Sequence, residues 1–595
     1  MARLKRLSAT VFPFAVFALL ALISWNRWIE PYVDSGRELI VPSRIAHGEA
    51  LYRDVRYYYG PLAPYLAAAV ETAAGRSFPA RILLAAAIAL AHLEGLRRLA
   101  LRLLSPARAS LATALAVAVC FFLRPGGCHL FPYSLDTALA VAAATWALTL
   151  PGGGGPVPGL WITTCIAAAL LARPEIGIAT ALALAIASAT EQAEAVGRRS
   201  LLLGSAAAFL PTAALYALVS RGTPLATLRT EGWLAFLAVP REFRNVYRSF
   251  SGIDRPGLRL AELALAGILV ALAAAWLALA AYAAAVSRRK NPFLGGAVAA
   301  GGIFSFAALA VCLLLPPQSL EASLSLLPPL VRPLPVFVLG GALWRAGARV
   351  LRRRDTGIFR QVPDAALLIA ALFAVRLLLA AGYVGPYSGF FLPLPLIVAT
   401  AGVFDLADRV GSRPEFGPVL PRLVAGALVI FLGFRAVWLI RVYRNPGWSR
   451  VATAAGSLFV TEPVAGATRL CLEWLERTTP AGGTAVGFPE AGFLQYVLDR
   501  RNPLPQDQFF PGHLDAAAEE DAIARLRRRP PDLFLYVNVL TVGHGPVAFG
   551  RDYLQRLDAA ARALSHRVAS FGPGARTEER IGDPDFFIEI RLPDR

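Results

Sequence analysis

Thirteen apolar runs dominate the sequence, and they constrain the fold more than any other feature. A membrane-spanning α-helix needs about 20 predominantly apolar residues. The runs cover residues 9–28, 79–101, 107–123, 134–150, 158–172, 176–190, 200–220, 259–286, 293–315, 325–345, 361–381, 388–407 and 419–440. Only 17% of the 595 residues are charged, whereas soluble domains carry about 25%. The pattern predicts an α-helical polytopic membrane protein with about thirteen transmembrane helices.

Clusters of basic residues predict how the helices are oriented. The first run follows the basic segment 1–6 and has no small-residue cleavage site, which is typical of an uncleaved signal anchor with a cytoplasmic N-terminus. Arginine clusters then fall on alternate loops, as expected of cytoplasmic loops. These clusters lie at residues 97–108, 198–199, 288–290, 345–354 and 409–413. We therefore expect a multi-pass protein of the cytoplasmic (inner) membrane whose C-terminal region is extracytoplasmic.

The interrupted stretch 158–190 decides whether the number of spans is odd. If it formed one span, the later arginine clusters would move to the outside. Two short spans, separated at Arg173-Pro174-Glu175, keep every cluster on the cytoplasmic side. The sequence therefore favours two spans in this stretch.

The net charge of +19 belongs to the membrane part of the chain. Residues 445–595 contain 17 Arg against 19 Asp and Glu, so residues 1–444 carry a net charge of +21. Much of this excess lies on predicted cytoplasmic loops, where it contacts lipid headgroups. The charge therefore indicates orientation in a membrane, and we expect no nucleic-acid partner.

The last 150 residues differ in character from the rest. Their periodicity predicts a mixed α/β domain with a helix at 464–477 and strands at 484–488, 532–540 and 586–592. We expect a transmembrane domain at 1–444, with long outer loops at 29–78 and 221–258, and an extracytoplasmic α/β domain at 445–595. The acidic and histidine residues of this domain show no spacing typical of a site. They are Glu490, Asp499, Asp507, His513 and His544.

The first outer loop carries the most informative residues. Residues 35–47 fit an amphipathic helix lying on the membrane, with Asp34 and Glu38 on one face. Asp34 stands where a helix N-cap is expected, so it is either a cap or a chemically active carboxylate. The tyrosines Tyr52 and Tyr59 anchor the loop at the membrane interface or, as the alternative, stack on a sugar or lipid.

These motifs resemble those of the GT-C superfamily. An acidic residue ends the first span, an amphipathic helix follows, and a Gly48-x-x-Leu-Tyr-x-Asp54 turn precedes the Pro61-Leu62 entry to the next helix. GT-C proteins are polytopic glycosyltransferases that use polyprenyl-phosphate sugars. The chain is most similar to the branch of protein O-mannosyltransferases and the lipid A aminoarabinose transferase. The similarity extends over residues 9–440 in topology, with motifs in 34–66, 124–137 and 172–177.

The resemblance implies an inverting membrane glycosyltransferase. It would move a sugar from a polyprenyl-phosphate donor to an extracytoplasmic lipid, glycan or protein. Asp34 corresponds to the family's catalytic base or acceptor-orienting acid, and Asp136 to a second acid. Two departures stand out. Asp34 is followed by Ser35, where many relatives have a second acid, and Tyr59-Gly60-Pro61-Leu62 lacks the Lys with which aminoarabinose transferases meet the lipid phosphate.

The substrate-binding candidates follow from the chemistry of that reaction. A carboxylate can accept the proton of the attacking hydroxyl, and the planar fork of Arg suits phosphate. Arg173 is favoured because an ionisable residue at a break between spans is by default a functional candidate. A local Arg173–Glu175 pair that closes the break is the alternative. The full set of candidates is Glu38, Arg44, Tyr52, Tyr59, Arg173 and Glu175.

Cofactors and competing functions complete the expectations. His47 and His129 lie near these acids, but no HxH or HExxH spacing is present, so no cofactor is expected and a divalent metal is the less favoured alternative. A lipid or glycan transporter or flippase would also need many spans, yet the sequence shows no paired interruptions in its two halves. A surface-polysaccharide polymerase or ligase is the third candidate.

Overall fold

The structure is a computed structural model, and it describes most of the chain. The described residues are 2–27, 31–122, 128–130, 133–149, 156–188, 198–314, 331–351, 359–379, 387–413, 415–480, 482–539, 541, 544–546, 548–573 and 586–594. Parts of the predicted motif 124–137 and of the predicted span 325–345, together with the ends of several other predicted spans, lie outside these ranges.

The described residues of the membrane part are mostly helical. Its helices are α1 (Ala2–Ser24), α2 (Ser35–Ala46), α3 (Leu62–Ala74), α4 (Phe78–Leu103), α5 (Pro106–Ala116), α6 (Leu135–Ala147), α7 (Pro156–Ala172), α8 (Pro174–Ser188), α9 (Arg198–Ala207), α10 (Phe209–Val219), α11 (Leu225–Glu231), α12 (Arg241–Ser251), α13 (Pro256–Lys290), α14 (Pro292–Leu314), α15 (Leu334–Val350), α16 (Asp364–Leu377), α17 (Tyr387–Phe391), α18 (Pro393–Gly411) and α19 (Val419–Tyr443). A short π-helix, Val117–Phe121, continues α5.

By length and composition, four helices of the described part can cross a membrane. They are Phe78–Leu103, Leu201–Val219, Pro256–Lys290 and Val419–Tyr443. Shorter apolar helices accompany them, among them Pro158–Ala172 and Pro174–Ser188. The predicted class, a mostly helical membrane protein with a small C-terminal sheet, is confirmed. The number of thirteen spans stays a prediction.

The break at Arg173 separates two helices that fold back on each other. Pro174 begins α8, a position that suits proline because the first helical N–H has no partner there. A Cβ on Gly177 would lie 2.6 Å from the backbone nitrogen of Leu170, so α7 and α8 approach too closely for any larger residue. The fold-back leaves the side chain of Arg173 at the junction of the two helices.

The helix α2 occurs where the sequence predicts it but does not lie on a membrane surface. Nine of its twelve residues are buried. A Cβ on Gly36 would lie 2.8 Å from the backbone nitrogen of Phe493, in the C-terminal region. The C-terminal residues therefore cover part of this helix, which the predicted position on the membrane surface did not include.

The C-terminal region begins with strands directly after α19. Its elements are β1 (Trp448–Thr453), β2 (Gly456–Thr461), α20 (Glu462–Thr478), β3 (Ala485–Phe488), α21 (Gly492–Val497), α22 (Ala516–Arg528), β4 (Leu533–Val537), α23 (Gln555–Ala563), β5 (Ser565–Phe571) and β6 (Ile588–Pro593). Strands β1 and β2 form an antiparallel hairpin. The other four form a sheet in the order β3-β4-β6-β5, in which only the β3–β4 pair is parallel.

One continuous apolar core joins the C-terminal region to the membrane helices. The Tyr32 ring lies 5.2 Å from that of Phe493 and 5.4 Å from that of Phe586, and its hydroxyl is 2.8 Å from the Thr468 hydroxyl. The Phe78 ring stacks on Phe493 at 6.1 Å. This packing positions the residues that follow β3 and β4 above the start of α2.

Candidate active site

A cavity of about 250 Å³ lies between the C-terminal region and the membrane helices. Asp34, Arg37, Tyr59, Arg173 and Glu175 form one side of it. Residues between Thr230 and Tyr247, the last of them in the first two turns of α12, and Tyr387 contribute a largely apolar wall. Phe510, His513, Val539, Thr541 and His544 close it from the C-terminal region. The cavity therefore unites segments from all parts of the chain.

Asp34 faces this cavity and does not cap the helix. It stands directly before α2 with φ +57°, and its side chain makes no capping hydrogen bond. Its Oδ1 accepts hydrogen bonds from Arg37 Nη1 and Gln508 Nε2, each at 3.2 Å. The side chain remains 31% exposed. Left-handed backbone is uncommon for a residue other than glycine, and such strain concentrates at functional sites. The chemically active alternative for Asp34 thus fits the geometry better than the cap.

Arg37 is a central cation of the site and is not among the residues predicted from the sequence. Its guanidinium donates to Asp34, to Glu38 Oε1 at 3.1 Å and to the Tyr133 carbonyl at 3.1 Å. It is 5% exposed and lines the cavity. Arg37 lies one helical turn after Asp34. The i, i+3 spacing of the two residues could therefore have predicted their contact from the sequence.

Arg173 forms the second cation, held by two carboxylates. Its Nε donates to Asp136, its Nη1 to Glu175 Oε1 at 3.0 Å and its Nη2 to the Ser134 hydroxyl at 3.0 Å. The predicted local pair with Glu175 is present, but the fully buried Asp136 is an additional partner. Asp136 lies beneath Arg173 and does not line the cavity. Its position supports Arg173 and does not suit direct contact with a substrate.

The Tyr59 ring lies between the two cations. The guanidinium carbon of Arg173 is 3.9 Å from the ring centroid, and that of Arg37 is 5.0 Å from it. Cations are attracted to the face of an aromatic ring. Tyr59 therefore holds two like charges at one side of the cavity, a role different from the predicted membrane anchor.

Glu38 lies behind Arg37 and is not part of the cavity lining. Its Oε2 accepts a hydrogen bond from the backbone nitrogen of Leu135, at the start of α6. Burial raises the pKa of the Glu38 carboxyl to about 7, against the lowering effect of Arg37, and the charge of Asp136 raises it further. Glu38 thus links α2 to α6, and direct substrate contact does not fit its position.

Arg44 and Tyr52 also lie away from the cavity. Arg44 pairs with Asp507 at 2.9 Å and with Glu49 at 2.6 Å, which fastens α2 to the C-terminal region. The Tyr52 hydroxyl donates to the Tyr59 carbonyl at 2.7 Å, and its side chain is fully buried. Both residues were predicted to bind substrate. In the structure they instead stabilise the conformation of the first loop.

The C-terminal region supplies residues that the sequence analysis set aside. The His513 ring stacks on Tyr58 at 4.5 Å and on Phe243 at 4.9 Å. Burial lowers the pKa of His513 to about 3, so the ring is neutral at physiological pH. Glu490 accepts a hydrogen bond from the backbone nitrogen of Asp34 at 2.9 Å.

Glu490, beside Asp34, and three of the C-terminal residues that line the cavity share a topological position. Glu490 follows β3, whereas Val539, Thr541 and His544 follow β4. The carboxyl ends of adjacent parallel strands are a recurrent place for ligand sites in α/β domains. This rule would have predicted these residues from the sequence if the pairing of β3 with β4 had been known.

The histidines of the membrane part hold structural contacts. His129 stacks on Phe121 at 4.0 Å and lies 3.0 Å from the Gly389 carbonyl, and His47 lies 2.7 Å from the Ser43 carbonyl. In the described ranges no group of three or more His, Cys, Asp or Glu residues is placed to hold a metal ion. The expectation about metal dependence stays a prediction.

Comparisons with known proteins identify similar solved structures. ArnT from Cupriavidus metallidurans in the apo state is 15% identical, with 97% of both chains covered and a TM-score of 0.40. The archaeal oligosaccharyltransferase AglB from Archaeoglobus fulgidus, in complex with an inhibitory peptide and a dolichol-phosphate, is 13% identical. That match covers 96% of this chain and 74% of AglB, at a TM-score of 0.46.

The apo form of the Archaeoglobus fulgidus oligosaccharyltransferase is 14% identical, with 95% of this chain and 74% of that chain covered and a TM-score of 0.45. No protein-family model and no curated protein matches the chain.

Proposed function

We propose that the protein is a GT-C-type glycosyltransferase of the cytoplasmic membrane. It transfers a sugar from a polyprenyl-phosphate donor, with inversion, to an extracytoplasmic lipid, glycan or protein. The observation that carries this proposal is the cavity in which one partly exposed carboxylate, Asp34, stands beside the buried cations Arg37 and Arg173. A carboxylate can take the acceptor's proton while cations stabilise the departing phosphate.

The orientation follows from the same proposal. With thirteen spans and a cytoplasmic N-terminus, the first loop and residues 445–595 lie outside the cytoplasm, where the donor sugar and the acceptor meet. The rings of Tyr58, Phe243, Phe510 and His513 line the cavity. Such rings suit a sugar, because aromatic faces combine apolar area with a polar edge. No metal or other cofactor is part of the proposal.

A third cation near the cavity supplies the charge that the lipid phosphate needs. The guanidinium carbon of Arg376 lies 4.6 Å from the centroid of the Tyr247 ring and 5.1 Å from that of Tyr387, and both rings line the cavity. Arg37 and Arg173 are already paired with carboxylates. Within the described part of the chain, Arg376 has no carboxylate in ion-pair distance. Arg376 does not itself line the cavity, so we propose that its charge, next to the cavity, takes the place of the Lys that the motif at Tyr59-Gly60-Pro61-Leu62 lacks.

Replacing Arg376 tests this assignment. We expect Arg376→Gln to raise the KM for the donor by about tenfold to a hundredfold, since a hydrogen bond to a charged group contributes about 1.5–3 kcal/mol. Steady-state kinetics with the purified protein measure the change. The control is Arg360→Gln, which alters an exposed arginine shortly before the same helix. Equal KM values for Arg376→Gln and the control would show that the phosphate is bound elsewhere.

The product distinguishes a transferase from a transporter. Purified protein is incubated with a set of short-chain polyprenyl-phosphate sugars and an extract of envelope glycans and lipids, and the products are identified by mass spectrometry. We expect release of free polyprenyl phosphate in step with glycosylation of an acceptor. Transfer of an intact donor across vesicles, without release of polyprenyl phosphate, would instead establish a flippase and refute the proposal.

A further inference from the structure

A buried carboxyl from the C-terminal region lies directly behind Asp34. The Glu490 side chain is fully buried, and its Oε2 accepts the hydrogen bond from the Asp34 backbone nitrogen at 2.9 Å. In the described part of the chain, its other oxygen, Oε1, is buried without a hydrogen-bond partner. A buried carboxylate with an unsatisfied oxygen is costly, and protonation relieves that cost.

Close backbone packing fixes Glu490 in this place. Gly492 lies against Gly36, such that a Cβ on Gly492 would be 2.9 Å from the backbone carbon of Gly36. Gln508 bridges the same elements, since its Nε2 donates to Asp34 Oδ1 and its Oε1 accepts from Arg37 Nη1. The hydrogen bond from Asp34 to Glu490 therefore holds the left-handed backbone that turns the Asp34 carboxylate toward the cavity.

The charges around Glu490 favour one proton for the pair of acids. From the α2 segment it faces Asp34, of like charge, and Arg37, of opposite charge. Arg37 and the hydrogen bonds from the Asp34 backbone and the Gln508 side chain lower the pKa of Glu490. Burial, and then the charge of Asp34, raise the pKa of Glu490 to about 8. Two interacting carboxyls share their protons as a unit. Near neutral pH the pair keeps a proton on Glu490.

We propose that Glu490 is the positioning residue of the catalytic centre: its protonated carboxyl orients Asp34 and keeps the pair at a single negative charge. This inference rests on the proposed function for its catalytic meaning. Above the pH at which Glu490 loses its proton, a second negative charge appears beside the site of the donor phosphate. The affinity for an anionic donor then falls, and the C-terminal region thereby sets the alkaline limit of the reaction.

The first measurement needs no ligand. A carboxyl whose pKa is raised by folding stabilises the folded protein at acid pH, and this contribution is lost as the pH rises toward the folded-state pKa. We expect the apparent Tm of the wild type to fall relative to that of Glu490→Gln by about 5 °C between pH 5 and pH 8. The matched control, Glu473→Gln, alters an exposed carboxyl of the same region and follows the wild-type curve. Parallel curves for Glu490→Gln and the wild type would overturn the inference.

The second measurement uses a short-chain isoprenyl methyl phosphodiester, whose charge is constant between pH 6 and pH 9. We expect its Kd for the wild type to rise about tenfold between pH 7 and pH 9, and its Kd for Glu490→Gln to change less than twofold. The pKa of Glu38, about 7, is lower than that of Glu490, about 8. Glu38 is present in the wild type and in Glu490→Gln, so it affects both Kd values. An equal rise in the Kd for the wild type and for Glu490→Gln would overturn the inference. No binding to the wild type at any pH, with diverging Tm curves, would refute the lipid-phosphate donor and leave the proton on Glu490 established.

Discussion

Replacement of Asp34 by Asn is expected to reduce sugar transfer by about a thousandfold, within the range that a positioned general base contributes. The amide keeps the size of the side chain, and its oxygen can still accept from Arg37 and Gln508. It cannot take a proton from the attacking hydroxyl. The variant should therefore fold and bind the donor while failing at the chemical step. Single-turnover assays with saturating donor measure the effect on that step directly.

The control for this variant is Asp254→Asn, because Asp254 is an exposed carboxylate in the other long loop. It should transfer sugar at the wild-type rate. Turnover of Asp34→Asn within threefold of this control would exclude Asp34 as the base. A loss of donor binding together with turnover would instead assign Asp34 to substrate positioning.

The largest expected effect on stability comes from Arg173. In Arg173→Gln the fully buried Asp136 loses its cation, and an uncompensated buried charge costs about 3–5 kcal/mol. We expect a strong loss of thermal stability in detergent. The double variant Asp136→Asn with Arg173→Gln removes both charges and should recover most of that stability. It should not recover transfer, since the cation facing the cavity is gone.

The surface pair Arg525–Asp521 provides the control for this experiment. Both of its side chains are about half exposed, so Arg525→Gln should change the stability by less than about 1 kcal/mol. Full transfer activity in the double variant would show that Arg173 serves only to stabilise the helix break. Failure of the double variant to regain stability would show that the Arg173–Asp136 pair is not the source of the loss.

The elements of the C-terminal region follow closely from the sequence. The predicted helix 464–477 is Glu462–Thr478, and the predicted strands at 484–488, 532–540 and 586–592 are Ala485–Phe488, Leu533–Val537 and Ile588–Pro593. Local sequence pattern is sufficient here, since β3 and β4 are short apolar runs that are buried at every position and α20 buries one face at helical spacing. The pairing of these strands depends on contacts distant in sequence and was not predictable in this way.

The candidate site was predictable only in part. Asp34, Tyr59, Arg173 and Glu175 line the cavity, and each of them stands in a motif or at a helix break. Arg44 looked equally suitable as a phosphate ligand, but Asp507 neutralises it more than 460 residues away. Whether an arginine is available to a ligand depends on its partners in space. The sequence does not contain that information at short range.

What the sequence determined by itself is the class of the protein and the region of its chemistry. Hydropathy acts locally, so it specifies a helical membrane protein without any knowledge of packing, and the basic clusters predict its orientation. Only the tertiary structure decided which charged groups pair with one another and which face the cavity. It brought Glu490 and Gln508 from the far end of the chain to Asp34, because burial and distance between atoms control the ionisation and pairing of these groups.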